Sequence, residues 1–174
     1  MKHLYIFFCF LLLGCSNNIT ISSQTSNNNI DTSSDFYFRI YDGASDRYNS
    51  KTGSFTRTYL SGSKTSSIIL SDDEKESVYK LYKAINFKSF PPKFEIDSNS
   101  DGIITSIMPS FETSLQMCEE NICKKVVLDF TDLNNPINDK DKALEYKKLY
   151  DKIWQIIKSK EEYQNIQESD LFYL

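Results

Sequence analysis

Residues Phe111–Phe130 read FETSLQMCEENICKKVVLDF. Phe111, Thr113, Leu115 and Met117 alternate onto one side of an extended chain, the two-residue period of a half-buried strand. Ile122–Phe130 is the partner run. Between them lie three residues, Glu119, Glu120 and Asn121, which leave room for little more than a tight turn. The stretch therefore predicts an antiparallel hairpin with Glu119 and Glu120 on its turn. Cys118 and Cys123 stand either side of that turn, where facing residues of an antiparallel pair come within disulfide reach.

Working outward, FYFRIY (Phe36–Tyr41) and SFTRTYL (Ser54–Leu60) carry the same strand signal, with a polar loop between them. TSSIIL continues the second strand or adds another. Ser71 followed by Glu74 fits a capping box, and Val78, Leu81, Tyr82 and Ile85 recur at helical spacing, which predicts a helix over 72–86. Pro91 and Pro92 then end helical structure. A second, longer helix is expected from Asp141 to Lys160. Tyr146, Leu149, Tyr150, Ile153, Ile156 and Ile157 form its apolar stripe, and Trp154 lies at the margin. The element order β-β-α-β-β-α predicts an α+β fold: an antiparallel sheet of about four strands with two helices packed on one face.

The chain has 174 residues and a formal net charge of −4, with no surplus of basic residues to displace the counterions of a nucleic acid. Its N-terminus, MKHLYIFFCFLLLGCS, has a basic start and an apolar run from Leu4 to Leu13. A helix of ~10 residues rises only ~15 Å, half of a ~30 Å hydrocarbon core, so the run reads as a signal-peptide core and not a membrane span. Leu12-Leu13-Gly14-Cys15 resembles the lipobox of bacterial lipoproteins. The resemblance implies cleavage before Cys15, lipidation of Cys15 and attachment to the membrane through its acyl chains. The location it implies is the bacterial cell envelope, periplasmic or surface-facing. Residues 1–14 are then signal peptide, and 15–34, rich in Ser, Asn and Thr, are a tether. Residues 35–174 make one α+β domain. Export also favours the Cys118–Cys123 bond.

Cleavage would remove His3, the chain's single histidine. Ser-His-Asp and Cys-His catalysis and His-ligated zinc then have no imidazole to use. No other catalytic pattern stands out, so the sequence points to a non-enzymatic protein that binds an envelope protein or a glycan. Tyr37, Arg39 and Tyr41 share one side of the first strand, and Phe55, Arg57 and Tyr59 share one side of the second. If the two sides coincide, two guanidinium groups stand among aromatic rings, a surface suited to a carboxylate, a sugar ring or a protein. The same pattern fits a solvated sheet face with cross-strand pairs. An alternative reading starts at DSNSDGIITSIM, Asp97–Met108, where Asp97, Asn99, Asp101, Gly102 and Ile103 match the first half of a calcium loop. Met108 stands where the closing bidentate acid belongs. Calcium is thus the one candidate cofactor. A carboxylate-based enzyme acting on cell-wall glycan is the third reading, and no acid pair marks it.

Overall fold

The computed structural model describes residues 35–97, 112–129, 133 and 135–171. Cys15, the segment 16–34 expected as a tether, and Asn99, Asp101 and Ile103 of the calcium pattern lie outside the described residues.

The hairpin forms as the alternation predicts. Strands β6 (Glu112–Glu119) and β7 (Ile122–Asp129) pair antiparallel, with Leu115 opposite Val126 and Cys118 opposite Cys123. The turn is two residues, Glu120 and Asn121, both at positive φ (52° and 64°). That handedness matches the twist of the flanking strands. Glu119 is not on the turn: it ends β6 and is 6% exposed.

The sheet is larger than the expected four strands and is not wholly antiparallel. Its seven strands run in the order β4-β3-β2-β1-β6-β7-β5. Strands β1 (Tyr37–Tyr41) and β3 (Ser54–Tyr59) lie where the sequence predicts them. Between them, in the presumed loop, stands β2 (Asp46–Asn49). Its sequence, DRYN, begins and ends in poor strand formers, yet it alternates. Asp46 and Tyr48 are buried, and Arg47 points outward. The Asp42 carboxylate accepts the amides of Ala44 and Asp46 at 2.8 and 2.9 Å, which tightens the β1–β2 turn and lets the chain reverse early. Strand β4 (Gly62–Ser67) returns along β3 after a two-residue turn, starting three residues ahead of TSSIIL and adding a strand there. Gly62 at φ 116° permits that start. Strand β5 (Lys93–Phe94) lies parallel to β7, placed by the proline pair that ends the preceding helical segment.

Helix α1 (Asp72–Ala84) carries the expected capping box, Ser71 Oγ accepting from the Glu74 amide and Glu74 from the Ser71 amide. Helix α2 (Lys140–Lys158) follows the predicted long helix, and a short α3 (Glu161–Gln164) follows it. Both long helices cover one face of the sheet. Their buried residues form one cluster with Phe38, Ile40, Tyr48, Phe55, Leu115 and Met117. Most of the aromatic richness of the chain goes here. Ring centroids step from Tyr82 to Phe87, Phe90, Phe94, Tyr146, Tyr150 and Trp154 at 5.3–6.3 Å spacings. Such pairs add about 0.5–1.5 kcal/mol each beyond their area burial. Trp154 lies within the core, 7% exposed, and not at its margin. None of the helices among the described residues is long and apolar enough to cross a membrane.

Candidate functional site

Among the described residues the other face of the sheet is uncovered. Register fixes what it presents. Arg39 is opposite Asn49 on β2 and Gln116 on β6, and Gln116 is opposite Lys125 on β7. One row along, Tyr41 is opposite Arg47 and Ser114, and Arg47 is opposite Thr56. Neighbouring strands lie ~4.8 Å apart, so the Cα atoms of Arg39 and Arg47 are about 8 Å apart, and those of Arg39 and Lys125 about 10 Å. Side chains from five strands line a shallow depression of about 380 Å³ here.

Arg39, Arg47 and Lys125 are all exposed. None of the three side chains makes a hydrogen bond or ion pair among the described residues; the Arg39 guanidinium carbon lies 5.9 Å from the Tyr37 ring centroid. Among the described residues the acidic positions of this face are confined to its far end. There Glu112 and Asp129 are register partners, and Glu112 is held by Lys93 at 2.6 Å. Tyr37 carries the Lys51 ammonium 4.8 Å above its ring, and its hydroxyl lies 3.6 Å from Cys123 Sγ. The Cys118–Cys123 disulfide therefore sits on the same face, across register partners with Cα atoms 4.1 Å apart.

The two strand patterns singled out in the sequence do not coincide. Tyr37, Arg39 and Tyr41 lie on the open face, whereas Phe55, Arg57 and Tyr59 point into the core and are 1%, 6% and 5% exposed. Thr56 and Thr58 take the outward positions of β3. The cause is visible in the cross-strand partner: Asp46 is opposite Arg57 and receives its guanidinium at 2.8 and 2.6 Å. The planar fork meets both carboxylate oxygens, the geometry that compensates buried charge. Arg57 also donates to the Gln167 carbonyl and the Tyr163 hydroxyl, and its guanidinium carbon stands 5.3 and 5.1 Å from the Phe55 and Tyr163 ring centroids. Its hydrogen bonds to Asp46 outweigh burial and raise its pKa further. Arg57 is thus the anchor for the C-terminal segment, which also places Ser169 Oγ on the Thr58 carbonyl.

Arg47, Gln116 and Lys125, the other polar groups of the open face, escape the sequence reading. The missing signal was the alternation within DRYN, which puts Arg47 and Asn49 on the side opposite Asp46 and Tyr48.

A second polar cluster closes the end of the hairpin. Glu119 accepts from Tyr79 (2.7 Å), Tyr82 (3.3 Å), Lys83 (3.0 Å) and Lys88 (2.7 Å). Burial alone would raise its pKa. The donors from Lys88, Tyr79 and Lys83 override that and hold it at about 2. It is a fixed anion that fastens β6 to α1 and the turn after it, with no lone pair left idle for proton transfer. Among the described residues no group of three or more His, Cys, Asp or Glu side chains is arranged to hold a metal ion. Asp97, the one described member of the calcium pattern, donates its backbone amide to the Pro136 carbonyl at 2.9 Å.

No protein-family model, curated protein or solved structure matches the chain.

Proposed function

We propose that the protein is a lipid-anchored envelope protein with a non-catalytic binding role, tethered through Cys15, that uses the open sheet face as its recognition surface. The observation that carries the reading is the grouping of Arg39, Arg47 and Lys125 on an uncovered face with no acidic partner among the described residues. At Cα Arg39 stands about 8 Å from Arg47 and about 10 Å from Lys125, and like charges so spaced repel one another. A surface that binds an oxyanion would keep them that way. The two buried carboxylates among the described residues, by contrast, are used up: Asp46 by Arg57 and Glu119 by two lysines and two tyrosines. That leaves little for the general acid and base of a glycan-cleaving enzyme.

The test uses a photo-crosslinking residue placed at Gln116, on the open face, or at Lys152, exposed on α2, in intact cells. Capture of a discrete partner from position 116 and not from 152 is the expected result. Equal capture from both, or capture from 152 alone, contradicts the recognition surface. Cys15→Ala should release the chain from membranes, and a variant that still sediments with them contradicts the anchor.

A further inference from the structure

The arginine usage of this chain narrows the ligand. Of 20 basic residues, 17 are lysine and only three are arginine. One arginine, Arg57, is buried against Asp46. The other two, Arg39 and Arg47, are neighbours on the open face and both exposed. Lysine satisfies a solvated face equally well, and this chain uses it almost everywhere else. Arginine differs in presenting a planar fork of donors that meets both oxygens of a carboxylate or phosphate at once.

The groups around the two arginines are uncharged and hydrogen-bonding. Gln116 and Ser114, between β1 and β7, have no side-chain hydrogen bond among the described residues. Asn49, Ser54 and Thr56 continue the polar rows toward β3. Tyr41 supplies an apolar ring face on the same strand as Arg39 and is 37% exposed. Cations, free amide and hydroxyl groups and a ring face over a shallow depression of about 380 Å³ complement a hydroxylated chain that carries oxyanions. A bilayer surface fits less well. Among the described residues the large exposed aliphatic side chains, Leu60, Ile69, Ile122 and Leu144, all lie off this face, and Tyr41 is the one large exposed hydrophobic on it, a small apolar area to enter the headgroups.

Resting on the reading of the open face as a recognition surface, we infer that its ligand is an acidic glycan, gripped by Arg39 and Arg47 at its carboxylate or phosphate groups and by Gln116 and Ser114 at its hydroxyls. Lys125 adds attraction at longer range.

The full-length chain in nonionic detergent micelles is titrated with polygalacturonate, a phosphorylated mannan and neutral dextran, and then studied in micelles doped with phosphatidylglycerol. Binding to an acidic glycan that weakens steeply with salt, with none to dextran, supports the inference. Preference for polygalacturonate identifies a carboxylate source and preference for the phosphomannan a phosphate source. The double variant Arg39→Gln/Arg47→Gln should weaken binding roughly tenfold or more, since each removes a two-pronged charged contact. The variant Lys152→Gln/Lys158→Gln, with the same charge change on α2, should leave binding unaltered. Arg39→Lys/Arg47→Lys keeps the charge and removes the fork, and should recover only part of the affinity. Unchanged thermal unfolding checks that each variant is folded. Full recovery by lysine, or equal loss from the α2 variant, overturns the two-pronged grip. Engagement by phosphatidylglycerol alone assigns the face to the membrane and overturns the glycan. If no glycan binds while position 116 still captures a protein in cells, the ligand class is wrong and the recognition surface stands. If both fail, the surface itself is wrong.

Discussion

At Glu119 and Arg57 single side chains decide how the layers are joined. Glu119 is a carboxylate whose folded pKa, about 2, lies below its ordinary value of 4.5. A depressed carboxylate stabilises the fold fully above about 4.5, and that contribution is lost as pH falls toward about 2. Two of its partners, Lys83 and Lys88, are 51% exposed at the side chain, so solvent screens much of the attraction. Glu119→Gln should therefore cost about 1–2 kcal/mol at neutral pH. Denaturant unfolding of both proteins from pH 7 to pH 2 should show the gap closing below about 4.5. Arg57 behaves differently because its ion pair is buried at both ends, 7% and 8% exposed. Arg57→Ala leaves Asp46 charged and unpaired in the core and should cost about 3–5 kcal/mol, measured by the same unfolding. Neither role was legible in the sequence. Glu119 reads as a turn residue because the hairpin's true turn is only Glu120-Asn121, one residue shorter than the polar run. Arg57 reads as a surface residue because arginine on an alternating strand ordinarily faces water. Its burial depends on Asp46, which a strand not recognised from sequence brings opposite it.

At the scale of elements, what could be read was whatever local chemistry dictates. Ser71 and Glu74 specify the start of α1, the proline pair stops the next segment, and the β6–β7 alternation sets its own register. The short strands β2 and β5 were not legible, and β4 only through its second half, which falls in TSSIIL, because cross-strand pairing and not propensity holds them. The hairpin turn is locally imperfect: Glu120 occupies a left-handed position with a side chain that disfavours it. Glu120→Asn should stabilise the protein by about 0.5–1 kcal/mol, read as a rise in melting temperature. The disulfide across this hairpin closes a loop of sequence separation five, so it removes little chain entropy. Cys118→Ser/Cys123→Ser should lose about 2 kcal/mol or less, and chemical reduction should lower the melting temperature correspondingly without unfolding the protein at 25 °C.

At the scale of the whole molecule, the two faces of the sheet are used for different ends. One is covered by helices and holds the aromatic core. The other is uncovered among the described residues and keeps Arg39, Arg47 and Lys125 apart from the chain's acids, although the protein as a whole is acidic. The α+β class and one-sided helix packing were legible in the periodicities. The composition of the open face was not, since it depends on which strands neighbour one another: β1 pairs with β6, some 70 residues away in the chain, and that pairing carries Arg39 to Gln116 and Lys125. The most direct test of the open face as an oxyanion-binding surface follows the three arginines by the NMR signals of their side-chain Nε–H groups in the full-length protein. The structure assigns them opposite fates. On titration with an acidic glycan, the Arg39 and Arg47 signals should shift together along one saturating curve, while Arg57, sealed against Asp46, should stay in place. Shifts at Arg57 alone, or three unmoved signals with a glycan that the protein demonstrably binds, would contradict the account.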